Sequence, residues 1–212
     1  MRNQAINNAI AISLSRDRLN KYLIASGSDL DLAISLYERN TRLAEAFYTP
    51  LQALEISFRN HINDAMMGAY GEDWLSSGVV PLRPHSLKSI GAAEQSLKQA
   101  NAPISQPALV AELSFGFWVA LLGPRYDASI WRQACYRAFR LPNGKHLSRS
   151  VVHGRANALR RFRNRVAHHE PIFANDLKEV HEEAMEAIGW MCGMTEQWAR
   201  HHSRFIEVHD AV

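Results

Sequence analysis

Several segments of this 212-residue chain repeat apolar residues at spacings of three and four, and no segment of comparable length alternates apolar with polar residues. Spacings of three and four place side chains on one face of an α-helix, whereas a half-buried strand needs a period of two. The sequence therefore predicts an all-α fold. It contains no internal repeat and no long polar linker, so we expect one domain over 1–212, with flexible tails at 1–13 and 205–212.

Capping residues, prolines and glycines set the bounds of the predicted helices. Ser15 caps a first helix, Ser28 or Asp29 a second that runs to Phe47, Thr49-Pro50 begins a third, and Ser148 caps a long one that ends before Pro171. The predicted ranges are 16–25, 29–47, 50–65, 86–100, 108–122, 128–139, 148–168 and 175–204. In the last range, apolar residues from Leu177 to Trp198 predict one continuous packing seam.

The composition, 47% apolar and 21% charged, is typical of soluble globular proteins. Cys135 and Cys192 have neither metal-site nor disulfide spacing, so we interpret both as packing residues and expect a reducing cytoplasm. There is no signal-peptide pattern and no uncharged apolar run of about eighteen residues, so we expect neither secretion nor a membrane span.

Arginine is the dominant cation, with nineteen arginines against five lysines, and five of the arginines lie between Arg155 and Arg165. A guanidinium group binds phosphate or carboxylate through two parallel hydrogen bonds, which an ammonium group does not. A solvated basic helix face explains the same composition, so charge alone leaves both interpretations open.

Within this cluster, Arg163 and Asn164 precede the adjacent histidines His168 and His169. Arginine stabilises a phosphorane and histidine transfers protons near neutral pH, which are the needs of metal-free RNA cleavage by a ribose 2′-hydroxyl. On a helix, Arg163 and His168 lie about 140° apart, whereas Asn164 stacks on His168. We therefore expect Asn164 to orient the imidazole while Arg163 reaches sideways toward a phosphate.

The bare Arg-to-His spacing is not specific, because it recurs from Arg140 to His146 and from Arg204 to His209. Two structural alternatives also stay open. The histidine pair could cap the helix through the macrodipole, and Glu55 could form a plain ion pair with Arg59 four residues on. A metal site is not expected, because successive helix positions diverge by about 100°.

The segment 163–173 resembles the RN-x-x-AHH segment of the Abi-like (abortive infection) proteins of the HEPN superfamily. Three other parts of the chain are similar to that family in the same order. Segments 14–23 and 36–40 resemble its opening helices, 54–62 its L-E-x-x-x-R-N element, and 113–122 its S/T-F-G-x-W element. The resemblance extends from about residue 14 to residue 198.

This resemblance implies a HEPN-like helical bundle, usually dimeric, in which Arg and His of two protomers form a composite RNA-cleaving site without a cofactor. It assigns catalysis to Arg163, Asn164 and His168. Supporting or RNA-binding roles fall to Glu55, Arg59, Asn60, Arg160, Arg161, Arg165 and His169. It also implies phage defence of the abortive-infection or toxin–antitoxin type, with an antitoxin or regulatory protein as a further partner.

An independent count also favours a homodimer. The second Arg-Asn pair, Arg59-Asn60, is followed by Asp64 where the motif needs a histidine, so one chain carries one complete motif. The leading hypothesis is a metal-independent endoribonuclease. The alternatives are a non-catalytic RNA-binding or partner-regulating HEPN module, and a protein-interaction domain whose basic helix binds an acidic partner.

Overall fold

The computed structural model describes residues 3–211, and within them the chain forms helices and no β-strand. Its helices are α1 (Gln4–Leu14), α2 (Arg16–Ala25), α3 (Leu30–Ala46), α4 (Tyr48–Tyr70), α5 (Pro84–Gln99), α6 (Gln106–Glu112), α7 (Phe115–Leu121), α8 (Arg149–Ala167), α9 (Leu177–Gly189), α10 (Gly193–His202) and α11 (Phe205–Asp210). Short 3₁₀ or π turns occupy Pro124–Tyr126, Asp127–Trp131 and Cys135–Ala138. The predicted all-α, single-domain fold is confirmed.

The largest apolar core surrounds α4, which packs against α7, α9 and α10. Along α4 the residues at helical spacing, Leu54, Phe58, Ile62 and Met66, are all buried. The strongly apolar sequence around them predicts that Phe115, Phe117 and Trp118 are core residues. All three are buried in the same cluster, which confirms this prediction.

A second core joins the ends of α3 and α8 to the C-terminal helix. The rings of Phe162 and Phe205 lie 4.7 Å and 4.6 Å from the ring of Phe47, and Phe205 is fully buried. Within the segments expected to be flexible tails, 1–13 and 205–212, the chain forms most of α1 and all of α11. Residues 1, 2 and 212 of those predicted tails lie outside the described residues.

The junction of α3 and α4 differs from the prediction. Phe47 is the residue between the two helices, and no side chain caps α4, so Thr49 is not a helix cap. Pro50 is the third residue of α4. The N–H groups in the first turn of a helix have no partner within that helix, so the missing N–H of Pro50 does not remove a helical hydrogen bond.

The predicted helix 108–122 is two helices. Leu113 is extended, and the Ser114 hydroxyl accepts a hydrogen bond from the Phe117 N–H, which begins α7. Because both parts face the same core, the apolar spacing continues across the break. The capping serine was the signal in the sequence that could have located this break.

The predicted helix 128–139 is wrong. Its apolar residues are buried, but the backbone turns through π and 3₁₀ geometry, with the Arg132 N–H bonded to the Asp127 carbonyl at 2.9 Å. Phe139 is extended, and the Arg140 N–H donates to the Trp190 carbonyl at 2.8 Å. Bonds to distant backbone thus replace the bonds that a regular helix would make.

The predicted helix 175–204 is also interrupted, because Cys192 is extended between α9 and α10. The side chain of Glu196 on α10 folds over Gly189, where a Cβ would approach Oε2. The apolar seam that was predicted from Leu177 to Trp198 therefore does not continue along α10, where Met194 and Trp198 are 72% and 49% exposed.

Candidate functional site

Helix α8 carries the arginine cluster and is fixed along its length by a buried stripe. The Ser148 hydroxyl caps its first turn, as predicted, by accepting from the Val151 N–H. Val152, Ala156, Leu159 and Phe162 are buried at helical spacing. The remaining faces of α8 carry the basic residues, so the core decides where each arginine points.

The histidine pair closes the C-terminus of α8. His168 is the C-cap residue, and His169 takes a positive φ of 56°. The Glu170 N–H donates to the Arg165 carbonyl at 2.8 Å and the His169 N–H to the Val166 carbonyl at 3.0 Å, which are the two bonds of a Schellman motif. The pair therefore ends the helix through its backbone, while both side chains stay exposed.

A groove of about 640 Å³ lies between α3, α4 and the C-terminal half of α8. This volume is within the range of about 300–1,000 Å³ usual for ligand sites. Apolar side chains such as Leu51, Ile56 and Val166 form much of its walls, and it is also lined by Glu55, Arg59, Arg163 and His169. The structure thus brings four of the predicted site residues to one concave surface.

Within the groove, Arg163 forms an ion pair with Glu55. Its Nε lies 3.0 Å from Oε2 and its Nη2 lies 3.5 Å from Oε1, and the two side chains are 38% and 24% exposed. A guanidinium has five N–H donors and can bind two groups on different edges. The Nη1 edge has no hydrogen-bond partner among residues 3–211 and remains available to an anion.

The other clustered arginines have different surroundings. Arg155 bonds Glu186 at 2.8 Å and pairs with Glu183 at 3.3 Å, which ties α8 to α9. Arg160 donates to the Asn157 side chain at 3.0 Å and 3.1 Å. Arg161 is exposed and lines a smaller cavity on another side of α8. Arg163 is the member of the cluster that lines the large groove.

Arg165, predicted as an RNA contact, is engaged with the loop that follows α8. It donates to the Pro171 carbonyl and to Asn175 Oδ1 at 3.4 Å, and its Nε lies 3.7 Å from Glu170. These bonds hold the segment after the histidine pair against the helix.

The alternative of a plain intrahelical ion pair between Glu55 and Arg59 is not seen in the described residues, because Glu55 bonds Arg163 of α8 instead. Arg59 Nη1 donates to the Ala111 carbonyl at 3.4 Å, and its Nε is buried without a partner among residues 3–211. Asn60 is exposed and does not line the groove.

The expected orientation of His168 by the Asn164 side chain is also not seen. The bond between these residues joins the His168 N–H to the Asn164 carbonyl at 2.9 Å, as in any helix. The Asn164 side chain is half-buried and has no hydrogen-bond partner among residues 3–211.

Two residues that sequence reasoning did not single out support the site. Buried Asn40 accepts hydrogen bonds from the N–H groups of Ile172 (2.7 Å) and Phe173 (3.2 Å). Arg18 of α2 donates to the carbonyl of His169 at 3.0 Å. Asn40 was detectable in the sequence, because it is a polar residue at helical spacing from the apolar Leu36 and Leu43.

Comparison with protein-family models, with curated protein sequences and with solved structures finds no match for this chain. Within residues 3–211 there is no cluster of three or more His, Cys, Asp or Glu side chains that could hold a metal ion. No helix in the same residues combines the length and apolar character needed to cross a membrane.

Proposed function

We propose that this chain is a metal-independent endoribonuclease that cleaves RNA by attack of the ribose 2′-hydroxyl on its own phosphate. The observation that carries the proposal is the groove next to the end of α8. There, one edge of the Arg163 guanidinium has no hydrogen-bond partner among the described residues, and exposed His168 follows five residues later on the same helix end. Arg163 stabilises the phosphoryl oxygens of the transition state, and His168 transfers a proton.

The Glu55 carboxylate supports this role of Arg163. It holds Nε and one Nη group, so the guanidinium is fixed before an anion arrives on its other edge. Hydrogen-bond donors that are already fixed need little reorganisation during the reaction, so they stabilise the charge that develops in the transition state. Asn164, one residue on, contributes a half-buried amide whose donors are available to RNA.

The reaction needs a base for the 2′-hydroxyl and an acid for the leaving 5′-oxygen. One chain supplies one complete motif, so we propose a homodimer in which the two His168 side chains act as this acid–base pair. The resemblance to the Abi-like proteins extends the proposal to phage defence, with an antitoxin or regulatory protein as an additional partner.

Cleavage in the presence of EDTA tests this function. Purified protein and structured RNA are incubated, and the cut ends are examined. We expect a 2′,3′-cyclic phosphate, loss of cleavage by about 10²-fold or more in His168→Ala, and retained RNA binding. His201→Ala is the matched control, because it also removes an exposed histidine, but one that lies on a different helix, α10.

Sedimentation of the same sample tests the composite site. A monomer that still cleaves RNA would contradict the homodimer. Absence of cleavage on every RNA, with RNA binding intact, would favour the alternative of a non-catalytic RNA-binding module.

A further inference from the structure

Positive charge is concentrated in one part of the chain. Between Leu113 and His169 there are eleven arginine or lysine residues and one acidic residue, Asp127. The rest of the chain holds thirteen of the 24 basic residues and twenty of the 21 acidic ones. The small net charge of +3 therefore conceals a strongly basic region, which comprises α7, the irregular turns and α8.

Four basic side chains of this region lie on one face of α8. They are Arg149, His153, Arg160 and Arg163. At 100° per residue they fall within about 80° of one another around the helix axis. All four are partly exposed. They form an interrupted row from the beginning of α8 to the groove, which we call the cationic face.

The cationic face runs along α7, which packs on α8. Arg149 Nη1 donates to the Leu122 carbonyl at 3.0 Å. The Arg160 Cδ lies 3.7 Å from the position that a Cβ would take on Gly116. Contacts with α7 therefore fix the row at two points.

The charge of this face comes from its arginines. Burial and the neighbouring Arg149 lower the pKa of His153, which favours the neutral imidazole. A neutral imidazole still offers one donor and one acceptor. His153 thus adds hydrogen bonding to the row without adding charge.

At the beginning of α8, the Arg149 end of the cationic face lies next to an exposed surface. The Asp127 carboxylate lies 3.2 Å from Arg149 Nε and 2.7 Å from Arg132 Nε, and Arg132 is 72% exposed. This one carboxylate is shared by two arginines, so excess positive charge remains. The exposed cations of the segment 125–145 are Arg125, Arg132, Arg137, Arg140 and Lys145, and we call them the basic surface.

Local contacts order this part of the chain. Arg137 Nε donates to the Tyr136 hydroxyl at 2.8 Å, and the Tyr136 ring lies 5.3 Å from the ring of His146. A β-bridge joins Arg140 to His146. The basic surface is therefore built on a folded segment and places aromatic rings beside its cations, a combination typical of nucleic-acid-binding surfaces.

We propose that the basic surface and the cationic face together form a track for the RNA backbone, which leads away from Arg163. This inference rests on the proposed function, because it takes Arg163 as the position of the cut phosphate. Arg149 and Arg163 are about 21 Å apart along α8 at 1.5 Å per residue. A strand in a duplex covers that distance with about six phosphates at about 3.4 Å each.

The test measures binding of an RNA that cannot be cut. A 2′-O-methyl RNA of about 20 nucleotides keeps every phosphate but lacks the attacking hydroxyl, and its affinity is measured over a series of salt concentrations. Arg132→Ala combined with Arg137→Ala removes two exposed cations of the basic surface. We expect about 3- to 10-fold weaker binding at about 0.1 M salt, and a log–log salt slope that is shallower by about 1.4.

The matched control combines Arg16→Ala with Arg39→Ala, two exposed arginines on α2 and α3, and should bind like the unaltered chain. The proposed track is wrong if the basic-surface variant binds RNA as tightly as the unaltered chain does. It is also wrong if the control variant loses as much affinity as the basic-surface variant. Displacement of the RNA by poly-L-glutamate at equal charge concentration also overturns it, because an acidic protein would then fit the surface as well.

Failure of the proposed nuclease would give a different result. Unmodified RNA would then stay uncut, while the selective loss of binding in the basic-surface variant would still be observed. Failure of the track alone would leave RNA cleavage in place, with unaltered affinity in that variant.

Discussion

Arg163 and Arg165 lie two residues apart on α8 and have different partners. Arg165 holds the following loop through Pro171 and Asn175, whereas Arg163 faces the groove and pairs with Glu55. Two residues correspond to about 200° of helical rotation, so the helix itself sends neighbouring side chains to opposite sides. The sequence reveals the cluster, but the choice of side depends on which face of α8 the core buries.

His181 is a second residue whose surroundings determine its chemistry. It is 3% exposed, its ring stacks on Phe205 at 4.7 Å, and its Nε2 lies 3.0 Å from the Ser203 hydroxyl. Burial lowers the pKa of His181 and outweighs the opposing effect of Glu182. The folded chain therefore binds a proton at this position less readily than the unfolded chain does.

We expect acid to destabilise the fold through His181. Its contribution to the free energy of unfolding is fully present above the ordinary pKa of 6.5 and is lost as the pH falls through the lower pKa of the folded state. In urea unfolding at about pH 7.5 and about pH 5.5, His181→Phe should show a shallower pH dependence, by at most about 1.4 kcal/mol per pH unit. Exposed His201→Phe is the control, and an unchanged slope in His181→Phe would contradict this assignment.

At the scale of elements, the sequence predicts which face of a helix is buried better than it predicts where the helix ends. The range 108–122 keeps its apolar spacing across the break at Leu113, because both halves face the same core. In the range 175–204 the buried spacing does not continue in the same way beyond the break at Cys192, since Met194 and Trp198 are exposed. The buried turns at 127–138 satisfy that spacing without being a regular helix. Periodicity reports which residues are buried, whereas the local backbone bonds depend on distant partners.

The end of α8 gives a prediction at this scale. His169 adopts a positive φ at the position where a Schellman motif favours glycine, because a Cβ is strained there. His169→Gly should therefore exceed His169→Ala in free energy of unfolding by about 1 kcal/mol, measured by urea denaturation. Equal stability of the two variants would show that the positive φ carries no strain. Both variants lack the imidazole, so their RNA cleavage separates two roles of His169. An equal loss of cleavage in both variants would indicate a chemical role of the side chain, and a loss in the alanine variant alone would indicate a role of the backbone.

At the scale of the whole molecule, the buried apolar residues between positions 3 and 211 form three clusters of unequal size. The smallest buries Leu19, Tyr22 and Ala33 and joins α1 and α2 to α3. Ile12 and Ile24 on these helices are 83% and 72% exposed. The Asn7 amide donates to Asp31 at 2.6 Å, so polar contacts supplement the limited apolar burial.

This inequality predicts an order of local opening. Backbone amides of α1 and α2 should exchange with solvent faster than those of α4 and α8, because less apolar surface must be exposed to open them. Hydrogen exchange followed by mass spectrometry under native conditions measures this order, with α4 as the internal reference. Equal protection of α1 and α4 would mean that the chain opens as one unit.

The all-α class, most of the helix ranges, the core aromatic residues and the segment with the candidate motif can be predicted from the sequence, because they follow from local periodicity and capping. The three-dimensional fold was needed to show that Glu55 pairs with Arg163, that the Arg165 side chain bonds the loop after α8, and that Asn40 and Arg18 support the motif. These contacts join residues distant in sequence, and their geometry depends on how α2, α3 and α4 pack around α8.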